Sequence, residues 1–351
     1  MKIAIISPLS ISLPPKKYGG TEAVVSMLTD GLVEVGHEVT LFAAADSVTK
    51  ARLIPTWPYP ISKDLDRQDP IGLFIYTNSY ITGKVLERAD EFDVIHSHID
   101  EHALILSKAT STPVLTTIHR KLDRNFQRRV YSFYDDVGYI SVSKHQQSCM
   151  PGINWVRNVY NGIDANLIDF KSNPRGEYLL FIGRFSPEKD PVTAIKVARE
   201  TNYPIILAGK IDPADKSYFE KEVEPLLSSY HKAYFVGEAD FEQKTNLYQN
   251  AAATLFPIDW DEPFGLVMPE SLAAGTPVIG TARGSVPEVI EDGKSGFVCE
   301  SFDQLVQAVK KIDRIDRENC RRRSELFTKE KMVEAYIKVY EVVLAGSKLL
   351  H

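Results

Sequence analysis

Short apolar runs alternate with amphipathic stretches along almost the whole chain. In the first half we predict strands at Ile3–Ser7, Val39–Ala43, Val94–His98, Val114–Ile118, Tyr139–Val142 and Trp155–Tyr160. In the second half we predict them at Tyr178–Ile182, Ile205–Ala208, Tyr234–Val236, Thr254–Pro257, Val278–Gly280 and Phe297–Cys299. Helical segments such as Glu22–Val35 and Val192–Glu200 separate these runs. Solidly apolar strands joined by helices are typical of a parallel sheet covered on both faces, so the sequence predicts an α/β protein with two consecutive sheets.

The alternation pauses in the turn-rich segment 162–176, which we interpret as a linker. A chain of 351 residues is long enough for two domains. We therefore expect a first domain over residues 1–165 and a second over 166–329. The last helix, from Lys329 to about Leu350, has no strand after it, so we expect residues 330–351 to return to the first domain.

Charge and cysteine content exclude several classes of protein. The chain has 41 Lys and Arg against 47 Asp and Glu, a formal net charge of −6, which argues against a dedicated nucleic-acid binder. Its three cysteines match no disulfide or metal-ligand spacing. The first residues form a predicted strand rather than a signal peptide, and no apolar stretch is long enough to cross a membrane. These features predict a cytoplasmic protein without a transmembrane segment.

Gly19 and Gly20 end the loop between the first predicted strand and the first helix. In open α/β sheets such loops lie at the carboxyl ends of the strands, where ligands bind. Two glycines before a helix allow backbone N–H groups to approach an anion, although a simple turn fits them equally well. The dinucleotide spacing G-x-G-x-x-G is absent, which disfavours a nicotinamide enzyme.

His96 and His98 lie two residues apart near the end of a predicted strand, so their side chains share a face. Such a pair is suited to metal binding, to proton transfer or to a structural role, and the nearby residues 100–102 keep the metal alternative open. We expect His98 to reach a cleft and His96 to be buried and hydrogen-bonded. His119 follows the next strand and is expected to line the same cleft.

In the second half, Gly183 through Asp190 joins a strand to a helix and contains Arg184 and Lys189. A guanidinium and an ammonium at this place are suited to phosphate oxygens.

Glu262 and Glu270 lie on either side of a helix that we expect to begin near Phe264. An anion at the N–H groups of Phe264, Gly265 and Leu266 would then have a carboxylate on each side, and carboxylates accept hydrogen bonds from sugar hydroxyls. The arrangement predicts a sugar-nucleotide site.

These motifs together resemble glycosyltransferase family 4. The resemblance covers essentially the whole chain and is carried by Glu262-Pro263-Phe264-Gly265 with Glu270, by Gly183–Lys189, by Gly19–Glu22 and by Tyr160–Asp164. It implies the GT-B fold, with two Rossmann-like parallel-sheet domains facing a cleft. It also implies a retaining transferase that takes a hexose from a nucleotide diphosphate sugar and needs no metal or other cofactor. We expect a UDP-sugar donor, with a GDP-sugar as the alternative.

The resemblance also assigns roles to individual residues. Gly20, beside Gly19, would meet the diphosphate through its backbone, and Arg184 and Lys189, following Gly183, would neutralise the leaving phosphate. Glu262 and the backbone of Phe264–Leu266 would hold the sugar, while Glu270 would hold the ribose. Val236, within Phe235–Gly237, would contact the base, and His98 matches the active-site histidine.

Several alternatives remain open at this point. Same-face attack with the leaving phosphate as base competes with a double displacement on a carboxylate. A nucleotide-sugar epimerase and a non-enzymatic nucleotide-sugar sensor are the other functions considered. We interpret Asp64-Leu65-Asp66 as a solvated loop rather than a metal site.

The acceptor is not identified: a saccharide, a lipid-linked sugar and a small molecule all remain candidates. Arg124 and Arg128 are four residues apart and would share a helix face with Lys121 one turn earlier, which predicts a basic patch for an anionic acceptor or a membrane surface. A solvated helix face is the simpler interpretation.

Overall fold

A computed structural model describes residues 1–64, 69–172 and 176–347. Leu65 and Asp66 of the predicted Asp-x-Asp loop, residues 173–175 of the predicted linker and the predicted end of the last helix at Leu350 lie outside this range. The chain divides into two units. The first contains Met1–Pro15, Gly19–Gly162 and the chain from Lys329 onward, and the second contains Ile163–Thr328 with Lys16–Tyr18.

The first unit is built on seven parallel strands. They are β1 (Lys2–Ile6), β2 (Glu38–Ala44), β3 (Arg52–Trp57), β4 (Val94–Ser97), β5 (Val114–Ile118), β6 (Gly138–Ser141) and β7 (Trp155–Asn158). The helices between them are α1 (Gly20–Glu34), α2 (Pro70–Leu86), α3 (Leu106–Ala109), α4 (Asn125–Phe133) and α5 (Lys144–Cys149). The strand order is β3-β2-β1-β4-β5-β6-β7, so the direction of winding reverses between β1 and β4. Ligands bind at such a switch point, outside the carboxyl ends of the strands.

The second unit repeats the plan with six parallel strands. They are β8 (Leu179–Ile182), β9 (Ile205–Ala208), β10 (Ala233–Phe235), β11 (Ala253–Phe256), β12 (Val278–Thr281) and β13 (Gly296–Cys299). The helices are α6 (Pro191–Glu200), α7 (Lys216–Tyr218), α8 (Glu224–Ser229), α9 (Phe241–Asn250), α10 (Val267–Ala273), α11 (Val286–Val289), α12 (Phe302–Val309) and α13 (Arg317–Ser324). The order β10-β9-β8-β11-β12-β13 places the switch point between β8 and β11. The prediction of two consecutive parallel sheets is confirmed.

Strand β3 was not predicted from the sequence. It carries Arg52, Pro55 and Thr56, and it lies at the edge of the first sheet, paired only with β2 among the described strands. Proline is accepted in an edge strand because an N–H group is not needed on the open side. The apolar pattern is therefore interrupted in an edge strand whose side chains are only partly buried.

The terminal helix α14 (Lys329–Ser347) belongs to the first unit, as predicted. Its buried tyrosines reach the sheet: Tyr340 Oη lies 2.8 Å from His96 Nδ1, and Tyr336 Oη lies 3.0 Å from Thr117 Oγ1. A Cβ atom on Gly31 of α1 would lie 2.6 Å from Val333 Cγ2, so the two helices pack too closely for a side chain at that position.

Helix α1 contains a buried carboxyl group in its first turn. Glu22 is 6% exposed, and burial raises its pKa to about 7. A helix N-terminus favours a negative charge, but only by about 0.3–1 kcal/mol at exposed sites, and here the loss of hydration outweighs it. Glu22 is therefore largely protonated below neutral pH in the folded chain.

We predict that Glu22→Gln alters how stability depends on pH. In the unfolded chain this carboxyl group ionises near pH ~4.3, whereas in the folded chain its pKa is about 7. Between these values the folded state holds a proton that the unfolded state has lost, so the free energy of unfolding falls as pH rises, by about 3–4 kcal/mol in total. Glu22→Gln removes this loss.

The measurement is urea unfolding at about pH 5 and about pH 7.5, with Glu38→Gln as the control because Glu38 is exposed at the start of β2. The difference between Glu22→Gln and wild type should appear between the two pH values and be absent for Glu38→Gln. Parallel stability curves for wild type and Glu22→Gln would contradict the prediction.

Candidate active site

A cavity of about 180 Å³ opens in the first unit, at the carboxyl ends of β1, β4 and β5. We call it the histidine cavity. Its lining includes Ser10 after β1, Glu22 of α1, Phe74 and Asn78 of α2, His98 after β4 and His119 after β5. The cavity therefore lies at the switch point of the first sheet, where the topology alone predicts a ligand.

His98 presents one unpaired ring nitrogen in this cavity. The side chain is buried, and its Nδ1 lies 2.9 Å from Nε2 of His119. Within the described part of the chain, no hydrogen-bond partner reaches Nε2 of His98. Burial, with His96 and His119 nearby, holds the pKa of His98 well below its usual range. The ring is neutral, and its buried Nε2 is left without a hydrogen-bond partner among the described residues.

The backbone of His119 is held by Asp100. Its backbone N–H donates to Asp100 Oδ1 at 3.0 Å, and the other oxygen of Asp100 accepts from Arg120 Nε at 2.9 Å. Burial lowers the pKa of His119 to about 4, so it is also neutral. In a pair of neutral imidazoles one ring must donate and the other accept, and the tautomer of His98 therefore depends on His119.

Both ring nitrogens of His96 have partners. Nδ1 lies 2.8 Å from Tyr340 Oη, and Nε2 lies 2.8 Å from Thr117 Oγ1. The prediction that His96 is a buried, hydrogen-bonded histidine is confirmed. Among residues 1–64, 69–172 and 176–347, no group of three His, Cys, Asp or Glu side chains is arranged to hold a metal ion.

The predicted helix face of Arg124 and Arg128 is wrong. Helix α4 begins at Asn125, and Arg124 precedes it with extended backbone dihedrals. The Gln127 side chain fixes this N-terminus of the helix, because it accepts from the Arg124 N–H at 3.0 Å and donates to the Lys121 carbonyl at 3.1 Å. Arg128 donates to the Pro151 carbonyl at 3.0 Å. The histidine cavity is lined by Arg120 instead.

The glycine pair lies where the sequence placed it, at the start of α1. Gly19 caps the helix with a φ of +151°, and Gly20 is its first residue. A Cβ atom on Gly19 would lie 2.7 Å from Pro15 Cβ, so the position accepts glycine alone. The chain therefore approaches the helix N-terminus with bare backbone.

In the second unit, Glu262 is paired with Lys189. One oxygen of Glu262 accepts from Lys189 Nζ and, at 2.9 Å, from Trp260 Nε1. The ammonium also lies 4.9 Å from the centre of the Trp260 ring, close enough for a cation–π interaction. The sequence analysis assigned Lys189 to phosphate and Glu262 to sugar, and the structure brings the two side chains together.

Local chain geometry fixes both members of this pair. Asp190 caps α6 by accepting from the Thr193 N–H at 2.9 Å, which fixes the chain at the entrance of the helix directly after Lys189. The backbone of Glu262 is fixed by a hydrogen bond, since its carbonyl accepts from the Ser285 N–H at 3.0 Å. A Cβ on Gly284 would lie 2.3 Å from that same carbonyl oxygen.

Helix α10 begins at Val267, three residues later than predicted. Gly265 adopts a φ of +77°, which turns the chain before the helix and delays its start. The first bond of the helical pattern runs from the Glu270 N–H to the Leu266 carbonyl at 3.0 Å. Of the two positions before Glu270, Met268 donates its N–H to the Gly265 carbonyl at 3.1 Å and Pro269 has no N–H, while Phe264 lies in the preceding loop with its side chain buried.

Glu270 has its own cation and a hydroxyl donor. Oε1 accepts from Lys244 Nζ at 2.7 Å, and Oε2 accepts from Tyr248 Oη at 3.0 Å. Tyr248 is fully buried, and burial beside Glu270 holds its pKa well above the usual range, so the hydroxyl keeps its proton. A carboxylate offers about four acceptor positions, and Glu270 retains capacity for further hydroxyl donors.

The remaining predicted donor residues lie at the ends of β8 and β10. Arg184 follows Gly183 after β8 and contacts acidic side chains: Nη2 lies 2.7 Å from Glu188, and Nε lies 3.6 Å from Asp215. Val236 follows β10 and is 54% exposed. Its N–H donates to the Leu207 carbonyl at 3.0 Å, so the backbone there continues the sheet while the side chain is open to a ligand.

Sequence reasoning missed three side chains of this site: Lys244, Tyr248 and Trp260. Lys244 and Tyr248 are four residues apart on α9, so they share a helix face. A cation and a phenol on one face are a signal for a buried carboxylate partner, but the sequence does not say which carboxylate. Trp260 lies two residues before Glu262 in a loop, where no periodic pattern applies.

Relatives and solved structures agree with this architecture. The chain is 26% identical to the phosphatidyl-myo-inositol mannosyltransferase of Mycolicibacterium smegmatis, over 84% of this chain and 80% of the relative. Its structure is similar to the sucrose-phosphate synthase of Thermosynechococcus elongatus, with a TM-score of 0.82 and 20% identity over 99% and 100% of the two chains. It is also similar to Anabaena HepE, solved with UDP and glucose, with a TM-score of 0.76 and 18% identity over 97% and 100%. The two structural likenesses show the fold.

None of the helices in the described residues is long and apolar enough to cross a membrane. Two family models cover most of the sequence: glycosyltransferase family 4 matches residues 18–167, and glycosyl transferases group 1 matches residues 164–327. The matches follow each other in chain order and correspond to the two units. The chain is therefore a glycosyltransferase of the family 4 type with the GT-B fold.

Proposed function

We propose that this glycosyltransferase moves a hexose from a UDP-sugar to an acceptor hydroxyl with retention of configuration and without a metal ion. The observation that carries the proposal is the doubled ion pair of the second unit, in which Glu262 holds Lys189 and Glu270 holds Lys244 on either side of the start of α10. Two cations and two carboxylates then lie around one short stretch of chain, which suits a diphosphate flanked by two sets of hydroxyls. UDP is supported by the complex of Anabaena HepE.

In this proposal the second unit binds the donor. Arg184 and Lys189 stabilise the negative charge that grows on the β-phosphate as the bond from C1 to the phosphate oxygen breaks. Glu270 accepts hydrogen bonds from the ribose hydroxyls, and Glu262 accepts from the sugar hydroxyls. Lys189 already contacts Glu262. A bound phosphate would therefore be the second anion beside the same ammonium group.

The first unit contributes the acceptor side. The acceptor hydroxyl attacks C1 from the face that the phosphate leaves, while its proton passes to a phosphate oxygen, and His98 is the candidate side chain for orienting the acceptor. No protein carboxylate forms a covalent bond in this route, which distinguishes it from a double displacement. Catalysis then rests on positioning and charge stabilisation.

The experiment is an assay of UDP release from a panel of UDP-sugars, with and without a library of acceptor glycosides. The proposed transferase releases UDP in proportion to product, and the anomeric proton of a product made from an α-linked donor keeps the small coupling constant of an α-glycoside. An epimerase would convert the donor without releasing UDP. A sensor would bind the donor and release nothing.

We predict that Glu270→Ala weakens UDP binding, whereas Glu262→Ala mainly lowers turnover. Loss of a buried hydrogen bond to a charged group costs about 1.5–3 kcal/mol, so the Kd for UDP should rise about tenfold or more in Glu270→Ala. In Glu262→Ala the Lys189 ammonium is released toward the diphosphate, and the Kd for UDP should stay the same or fall while kcat drops.

Calorimetric titration with UDP and steady-state kinetics test this difference. Glu242→Ala, at an exposed position of α9, is the matched control and should change neither quantity. Equal losses of UDP affinity in both glutamate variants would contradict the separate roles of Glu262 and Glu270.

We also predict that turnover survives excess EDTA. Arg184 and Lys189 supply the positive charge that a divalent ion supplies in metal-dependent transferases. The measurement is the initial rate after prolonged dialysis against chelator. A complete loss of activity that added Mg²⁺ or Mn²⁺ restores would favour the metal interpretation instead.

A further prediction concerns His119, which acts through His98. Without His119 the tautomer of His98 is no longer fixed, so His119→Ala should lower kcat/KM for the acceptor about tenfold or more while the KM for the UDP-sugar changes little. His119→Gln places an amide near His98, which can also donate or accept a hydrogen bond, and should recover part of the loss. His231→Ala, at an exposed position of the second unit, is the control. A loss that falls equally on donor and acceptor would contradict this positioning role.

A further inference from the structure

A second cavity, of about 390 Å³, opens at the same edge of the first sheet. We call it the aromatic cavity, after its walls. It is lined by Trp57 at the end of β3, by Pro58 and Tyr59 directly after it, by Ala45 after β2 and by Tyr80 of α2. Like the histidine cavity, it lies at the carboxyl ends of parallel strands, but over β2 and β3.

Aromatic rings of this cavity are exposed and held in place. Tyr59 is 39% exposed and Tyr80 is 48% exposed. The Trp57 and Tyr80 rings meet edge to face, with their centres 6.2 Å apart. Lys63 Nζ lies 5.8 Å from the centre of the Tyr59 ring, and Lys84 Nζ lies 5.7 Å from that of Tyr80. These contacts fix flat apolar surfaces in solvent before any ligand arrives.

Trp57 adds a hydrogen-bond donor that has no acceptor. Its Nε1 is buried, and no partner for it exists among the residues that the structure describes. An indole N–H can only donate, and leaving it unpaired while buried costs about 1–3 kcal/mol. A ligand that reaches Nε1 with a hydroxyl or ring oxygen would relieve this cost, whereas a hydrocarbon chain would not.

Helix α2 forms a wall of both cavities. Phe74 and Asn78 line the histidine cavity, and Tyr80, two residues further along the same helix, lines the aromatic cavity. Because side chains two residues apart point to different sides of a helix, the two cavities are neighbours across α2 at the carboxyl edge of the same sheet.

We propose that the aromatic cavity is a saccharide subsite, in which a second sugar ring of the acceptor stacks on Tyr80 and Tyr59 and accepts a hydrogen bond from Trp57. This inference rests on the proposed function, since it takes the acceptor hydroxyl to react beside His98. It names the acceptor class: a disaccharide or larger glycan, or a glycoside whose distal ring fills the aromatic cavity. Aromatic faces pack on the C–H groups of a sugar ring while its hydroxyls stay available for hydrogen bonds.

The other occupant to be tested is a membrane. Helix α2 also exposes Ile71, Ile75 and Tyr76, an apolar surface outside the cavity. A membrane would engage that whole surface, and Tyr76 would matter as much as Tyr80. A saccharide would engage only the rings that line the cavity. Tyr76 and Tyr80 are therefore a matched pair of exposed tyrosines on one helix.

The experiment uses saturation-transfer NMR and titration of the full-length chain with methyl glycosides and disaccharides of glucose, galactose and mannose. We expect at least one disaccharide to bind, with a Kd that rises about five- to tenfold in Tyr80→Ala. Tyr80→Phe keeps the ring and should bind like wild type. Tyr80→Leu keeps the apolar area but loses the flat face, and should bind as weakly as Tyr80→Ala. Tyr76→Ala should bind like wild type.

Three outcomes would overturn the inference. The first is that no saccharide of the panel binds wild type, and the second is that Tyr80→Leu binds as well as wild type. The third is that vesicles of anionic phospholipid bind the chain and that Tyr76→Ala and Tyr80→Ala weaken this binding equally. Binding of UDP, measured separately on each variant, tests the donor site. Failure of the saccharide subsite with intact UDP binding is thereby distinguished from failure of the proposed function, and circular dichroism verifies that each variant is folded.

Discussion

The structure depends on one constraint: parallel strands can be joined only by crossovers, so their carboxyl ends meet at one edge of the sheet. In the first unit this brings Ser10, His98 and His119 together although they are far apart in sequence. In the second unit it places the loop with Lys189, after β8, beside the loop with Glu262, after β11, because β8 and β11 are neighbours at the switch point. The apolar strands predicted from the sequence thus determine where the polar chemistry collects.

Pairing of charges is the second organising principle, and it affects how single substitutions act. Glu262 and Glu270 are both less than a tenth exposed, and each has a lysine partner. Buried charges gain little net stability from pairing, but removal of one partner leaves the other uncompensated. A variant at Glu262 therefore reports on Lys189 as well. Double-mutant cycles separate the contribution of each residue from that of the pair.

The sequence predicted what depends on periodicity and missed what depends on a partner. Twelve of the strands and the glutamates around α10 follow from apolar runs and local motifs. The sequence did not predict the edge strand β3, because its side chains are only partly buried and the apolar run is broken. Helix α10 starts later than predicted because Gly265 turns the chain. Lys244 finds Glu270 only through packing of α9 on α10, a contact for which spacing along the chain gives no rule.

The terminal helix shows how far such partners can reach. Tyr340 and Tyr336 lie more than 200 residues beyond the strands they contact, yet they bind His96 and Thr117 in the middle of the first sheet. The His96 ring is centred 4.2 Å from that of His98, so the residues that hold His96 also restrict the ring beside it. Both nitrogens of His96 are occupied, and His98 pairs with His119. The last helix therefore fixes the ring beside the candidate catalytic histidine, whereas the tautomer of His98 depends on its bond with His119.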